Sequence, residues 1–258
     1  MKTKGKVEEE IQNKFYTKKL FELLKKTALG GAVTECLLKV KNGVGAIKVI
    51  DPSGNVYIST EERRLCTSRQ SFDIGLADIN LVIKFLEAME ENEITFDIKS
   101  NFLKFKVKNR ENVKFRLVDA EKMQEDYKNF IEGAEEISKN VQCEKEVDIQ
   151  SFSDFVYYGE MFKITSALIE VKNKQLSIGS GNIEKISFKS SLGEIDLEEN
   201  LQVSVFGNLF RRVFEVVNKE VPIKIQLGRD CPVIISQKDS CWVFASSDEE
   251  EGQSDANS

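Results

Sequence analysis

Residues 77–90 read Ala77-Asp78-Ile79-Asn80-Leu81-Val82-Ile83-Lys84-Phe85-Leu86-Glu87-Ala88-Met89-Glu90, and the runs behind them decide the fold. At 100° per residue, Ile79, Leu81, Val82, Ile83, Phe85, Leu86 and Met89 gather on one side of a helix. Asn80, Lys84, Glu87 and Ala88 lie opposite. The period then switches to two. Ile94/Phe96/Ile98, Leu103/Phe105/Val107 and Val113/Phe115/Leu117 alternate with polar residues. They predict strands over 94–99, 102–108 and 113–118. A helix feeding three short, closely spaced strands is an α+β block.

Upstream, residues 1–14 are charged and patternless and read as a flexible arm. Residues 16–28 form a second amphipathic helix. Tyr16, Leu20, Phe21, Leu23, Leu24 and Thr27 share one face, while Lys18, Lys19, Glu22, Lys25 and Lys26 share the other. Gly30-Gly31 stops it. Strands follow over 34–40, 44–50 and 55–60, joined by Asn42-Gly43 and by Asp51-Pro52-Ser53-Gly54, with Phe72-Asp73-Ile74 as another.

Downstream, residues 119–142 are acidic and break the rhythm. They read as an interdomain linker, although Met123, Tyr127, Phe130, Ile131 and Ile137 are spaced to allow a short amphipathic helix. The first plan then repeats: strand 146–150, helix 151–162, strands 165–171, 174–179, 183–189 and 201–205, helix 207–218, and strands 221–227, 232–236 and 240–246. The second halves superpose without a gap at an offset of 127 and the first halves at 131. The expected organisation is two tandem, similar α+β domains, 15–118 and 143–247, with helices on one face of antiparallel sheets and an acidic disordered tail at 248–258.

Composition narrows the chemistry. The 258 residues contain no His, which removes His-based triads, His general bases and His-ligated zinc. The five Cys are an odd set without a Cys-x-x-Cys pair, which fits a reduced, intracellular protein. The N-terminus does not read as a signal peptide, and no apolar run reaches a membrane span. Glu8-Glu9-Glu10, Glu61-Glu62 and Glu198-Glu199 read as solvated charges, and Gly179-Ser180-Gly181 is too short for a phosphate loop. Neither catalytic residues, metal nor cofactor are expected. The net charge of −6 is unevenly placed: −5 in the tail, −4 in 121–146, and +3 over the rest. A polyanionic partner feels that distribution rather than the total.

The order and spacing of these elements resemble the sliding clamps of DNA replication, of the two-domain type found in proliferating cell nuclear antigen and the T-even phage clamp. The resemblance rests on several stretches. They are Asp51-Pro52-Ser53, Phe72-Asp73-Ile74 before helix 77–90, Glu93-Ile94-Thr95-Phe96-Asp97-Ile98 and Phe115-Arg116-Leu117-Val118-Asp119. Near the end stand Asp230-Cys231-Pro232-Val233-Ile234-Ile235, then Trp242-Val243-Phe244-Ala245 and the acidic tail. It spans about residues 15–250.

The resemblance implies a non-enzymatic, head-to-tail homotrimeric ring. Helices would line a hole threaded by double-stranded DNA without sequence reading. DNA polymerase and other factors would dock short hydrophobic peptides on the outer face, and a clamp loader is an implied partner. Such a protein works at the replication fork, in the nucleus of a eukaryote or the cytoplasm of a prokaryote or phage host. On this reading Lys18, Lys19, Lys25, Lys26, Lys84, Arg211 and Arg212 face DNA. Helix 151–162 departs from a basic lining, with Asp154 and Glu160 and no base. The implied peptide pocket comprises Ile50, Val56, Pro232, Val243 and Ala245, with Met123, Tyr127 and Ile131 as its linker wall. Two other readings stay open: a clamp-fold accessory subunit that is a monomer or dimer, and a peptide-binding scaffold without DNA.

Overall fold

The computed structural model describes residues 13–99, 101–107, 112–180, 187–229 and 231–246. The expected tail lies outside them, as do residues 183–186 of the expected strand 183–189 and all of the expected arm but Asn13 and Lys14. The chain runs β1 (Lys14–Tyr16), α1 (Thr17–Ala28), β2 (Cys36–Lys41), β3 (Val44–Ile50), β4 (Val56–Glu62), β5 (Phe72–Leu76), α2 (Ile79–Glu87), β6 (Glu93–Lys99), β7 (Phe102–Lys106) and β8 (Val113–Val118). Next comes α3 (Ala120–Ile137). The second unit is β9 (Cys143–Val147), α4 (Ser153–Met161), β10 (Ser166–Lys172), β11 (Gln175–Ser180), β12 (Lys189–Glu194), β13 (Leu201–Phe206), α5 (Gly207–Val216), β14 (Ile223–Leu227), β15 (Val233–Gln237) and β16 (Ser240–Phe244). Lys14, placed in the arm from sequence, opens β1 and pairs with Thr95.

Every strand pairing among the described residues is antiparallel. Twelve strands form one sheet in the order β1-β6-β7-β8-β5-β2-β3-β4-β16-β15-β14-β9, and four form a second, β12-β11-β10-β13. The large sheet crosses from one unit to the other where β4 pairs with β16, from Ser240 opposite Thr60 to Phe244 opposite Val56. The buried hydroxyls of Thr60 and Ser240 meet there at 2.8 Å. Trp242, wholly buried, donates from Nε1 to the Lys26 carbonyl at 3.4 Å. The Arg212 guanidinium donates to the Leu29 carbonyl at 3.4 Å.

Side-chain alternation separates the two faces of the sheet. Leu38, Val40, Ile47, Val49, Val56 and Ile58 point into the core under α1. Lys39 and Lys48, between them in sequence, point the other way and bond α3. The contacts of α2 with α1, α1 with α5, and α5 with α4 make one row of helices. α1 ends as its residues require: Leu29 takes the left-handed conformation at φ 44°, and Gly30 follows at φ 62°.

Residues 119–142, read as a linker, hold an 18-residue helix. Asp119 caps it, accepting from the Glu121 and Lys122 amides at 2.9 and 3.2 Å. The repeat is also not gap-free. The ladders set Phe15 opposite Ile94 and Val147 opposite Ile223, so Ile94 corresponds to Ile223 rather than to Val221.

Candidate functional site

The row of helices carries the first candidate surface. Leu20, Leu23, Leu24, Thr27 and Ala28 of α1 are buried, which turns its lysines outward. Lys18 and Lys25 are exposed, and Lys26 is half-exposed. Lys25 lies 5.7 Å from the Phe21 ring centroid. Lys19 is committed elsewhere, bonding Glu62 at 2.7 Å and the Arg63 carbonyl at 2.5 Å. Lys84 is half-exposed on α2.

Arg211 and Arg212 do not stand free as the sequence suggested. Helical spacing sets Arg211 over Glu215 at 3.0 Å, with Glu160 of α4 at 3.8 Å, and leaves its side chain 18% exposed. Arg212 is drawn into the junction with Leu29. The positive face is therefore concentrated on α1. α4 departs in kind: its exposed residues include Tyr157, Tyr158 and Met161, and Phe162 follows it.

The opposite face holds a groove of about 940 Å³ between α3 and the second unit. Ile50, Pro232, Val243 and Ala245 line it as the resemblance implied, together with Tyr57, Leu168, Cys231 and residues 201–204. The other four expected residues do not. Val56 is wholly buried in the main core, because alternation turns Val56 and Ile58 inward and gives the groove Tyr57. Met123 is buried. Tyr127 donates from its hydroxyl to Glu35 Oε1 at 3.0 Å. Ile131 packs on a small cluster of Tyr57, Cys231, Ile234 and Val243.

Met123, Tyr127 and Ile131 are one stripe of α3, and that stripe anchors the helix. The groove wall is the adjacent stripe, Phe130, Gly133, Ala134 and Ile137. Phe130 is 61% exposed and Ile137 49%. The i, i+3, i+4, i+7 spacing of those four was the signal for them.

The anchoring is polar as well as apolar. Lys48 bonds Glu135 Oε1 at 2.6 Å, the Tyr57 hydroxyl donates to the same oxygen at 2.9 Å, and Lys39 bonds Gln124 at 2.9 Å. Burial, then the Glu135 carboxylate, push the Tyr57 phenol up. Burial and Glu35 push Tyr127 up to about 12. Burial likewise raises the thiols of Cys36, Cys66, Cys143, Cys231 and Cys241, the last to about 11. They are protonated at neutral pH and serve as small apolar groups. Among the described residues, no group of three or more acidic or thiol side chains is placed to hold a metal. No helix there is long and apolar enough to cross a membrane.

Two α+β units, a sheet continuous between them, a row of four helices on one face and a groove beside the connecting helix on the other define the DNA sliding-clamp fold. No protein-family model and no curated protein matches this sequence. Solved structures do match its fold. Proliferating cell nuclear antigen from Thermococcus kodakaraensis aligns over 91% of this chain and 100% of its own, at TM-score 0.66 and 14% identity. The A. fulgidus antigen, solved with the C-terminal region of FEN-1 bound to it, aligns over 93% of this chain and 100% of its own, at TM-score 0.70 and 12% identity. The DNA polymerase III subunit beta of Pseudomonas aeruginosa aligns over 92% of this chain, at TM-score 0.72 and 14% identity. This chain spans 66% of that subunit's length. At these identities the likeness establishes the fold.

Proposed function

We propose that the protein is a DNA polymerase processivity factor. It closes head to tail into a ring around duplex DNA and tethers polymerase and other replication proteins. The observation that carries this reading is the β4–β16 junction. β4 ends the run β5-β2-β3-β4 of the first unit, and β12 ends the matching run β13-β10-β11-β12 of the second. β16 ends the run β9-β14-β15-β16, and β8 ends the matching run β1-β6-β7-β8. Inside the chain β4 meets β16. Their counterparts β12 and β8 are left with open edges: among the described residues β12 has one neighbour, and β8 meets β5 only through Leu117 and Val118.

Open strand edges invite pairing. Pairing β12 of one molecule with β8 of the next repeats the internal junction between molecules, a heterologous contact that closes into a ring. Three copies give the six units that the resemblance implies. DNA would then meet the helix row, where mobile lysines on α1 attract phosphates without fixing a register. The groove would take hydrophobic peptides from the polymerase and its companions, and a loader would open the ring. No step of this function requires the protein to be an enzyme.

The test is topological. The protein, loaded on circular DNA, stays bound through high salt and is released when the circle is cut. Equal release from intact and cut circles would overturn the reading.

A further inference from the structure

The two units can be matched residue by residue around their helices, because equivalent backbone bonds recur. After the first helix of each unit, the Val33 amide bonds the Ala28 carbonyl and the Ile164 amide bonds the Gly159 carbonyl, both at 3.1 Å. Before the second, the Ile79 amide bonds Thr34 and the Gly207 amide bonds Thr165, both at 2.8 Å. Met161 therefore occupies the place of Gly30, and Tyr157 that of Lys26. Leu81 occupies the place of Leu209, and Lys84 that of Arg212.

In the first unit these places form the internal seam. The Lys26 carbonyl accepts from Trp242, and Arg212 reaches the Leu29 carbonyl. Gly30 allows that approach, since a Cβ there would lie 3.1 Å from Arg212 Cδ. Leu209 is partly buried against the core.

The corresponding residues of the outward-facing elements lack that polar, close-packed character. Tyr157 is 59% exposed, Met161 51% and Leu81 54%. They lie on α4 and α2, the two ends of the helix row. Tyr158, beside them, reaches the Phe188 ring at 5.5 Å, next to the open edge of β12, so the apolar patch is continuous with that edge. Exposed apolar groups of this size mark contact surfaces rather than a lining for phosphates.

We propose that Tyr157 and Met161 of one molecule pack on Leu81 of a second copy, forming an apolar helix seam beside the β12–β8 pairing. This rests on the head-to-tail reading and assigns its helix contact. The internal seam is tight and hydrogen-bonded, whereas the seam between molecules is greasy. α2 and the end of α4 are thereby drawn into assembly, and DNA contact falls to α1.

Sedimentation velocity over a concentration series tests this with the full chain. The wild type sediments as a multiple of 29.3 kDa. Met161→Glu and Leu81→Lys each weaken self-association by about tenfold or more, because each strands a charge in an apolar contact. The two together recover much of that affinity, since Glu then faces Lys across the seam. All of these residues are exposed in the single chain, so circular dichroism should match the wild type. Phe130→Glu, in the groove, leaves assembly unchanged. An assembled wild type whose Met161→Glu and Leu81→Lys variants associate equally well overturns the seam and spares the ring. A wild type that is monomeric at micromolar concentration overturns both.

Discussion

The hydroxyl of Tyr57 donates to Glu135 across 2.9 Å, tying the sheet of the first unit to the helix that walls the groove. The bond from Lys48 to the same oxygen is the main reason the Glu135 carboxyl is held below its ordinary value, with Tyr57 adding to it and burial opposing. A carboxyl with a lowered folded-state pKa stabilises the fold above its unfolded value of 4.5. That contribution fades as pH falls through the folded value. Because Glu135 is 42% exposed, solvent screening limits it to about 0.5 kcal/mol. Glu135→Gln should therefore melt about 1–2 °C below the wild type at neutral pH. The difference should close in acid well below pH 4.5. A gap that persists there would show that the carboxylate charge is not its source.

The free lysines of α1 should govern attachment to DNA. Lys18→Glu with Lys25→Glu should weaken binding and flatten its salt dependence by about 0.9 log units for each phosphate no longer neutralised. Lys19→Glu should do less, since Lys19 is already occupied by Glu62. Fluorescence anisotropy of a labelled duplex across a salt series reads both quantities, and exposed substitutions should cost no more than about 0.5 kcal/mol of stability.

Two neighbouring stripes of α3 should separate binding from folding. Phe130→Ala should cost a polymerase C-terminal peptide about 2 kcal/mol of affinity while leaving the melting temperature alone. Ala245→Asp, which puts a charge on the groove floor, should cost more, several kcal/mol if the site is fully desolvated. Met123→Ala should do the reverse: about 2–3 kcal/mol less stability, with peptide affinity little changed. Calorimetry of the peptide and urea unfolding of each variant give the comparison.

Trp242 is wholly buried and sits on the strand that joins the units. Trp242→Ala should cost about 3–5 kcal/mol and should split the denaturant transition, because the removed side chain packs both units together. A single, equally sharp transition would mean that other contacts suffice to couple them.

Elements with a strong period were legible in the sequence. α1, α2 and α5 show a clean apolar stripe, and Gly30 marks the end of α1 at a positive φ that glycine tolerates. The strand alternation Leu103/Phe105 placed both residues in the core. What the sequence hid was which side an apolar residue faces when both sides are partly covered. Val56 and Tyr57 are adjacent and both buried, yet they point to opposite faces. On α3 two apolar stripes lie side by side, and only the sheet beneath decides that Met123 anchors while Phe130 stays bare. The engagement of Lys19, Arg211 and Arg212 was likewise hidden, because their partners lie on other elements or depend on a junction formed at long range. The two-residue slip at Ile223 arose from treating the repeat as gap-free.

The twelve-stranded sheet and α3 together fasten the two units of one molecule twice, once through strand pairing and once by a strap that is part of the same chain. A contact between molecules has strand pairing and a patch of side chains but no strap. A single molecule is thus a stiff arc whose midpoint resists bending, and the compliance of any closed assembly is confined to its joints between chains. Force applied to such a circle would spring one of those joints and leave every protomer whole, so its doorway lies between molecules.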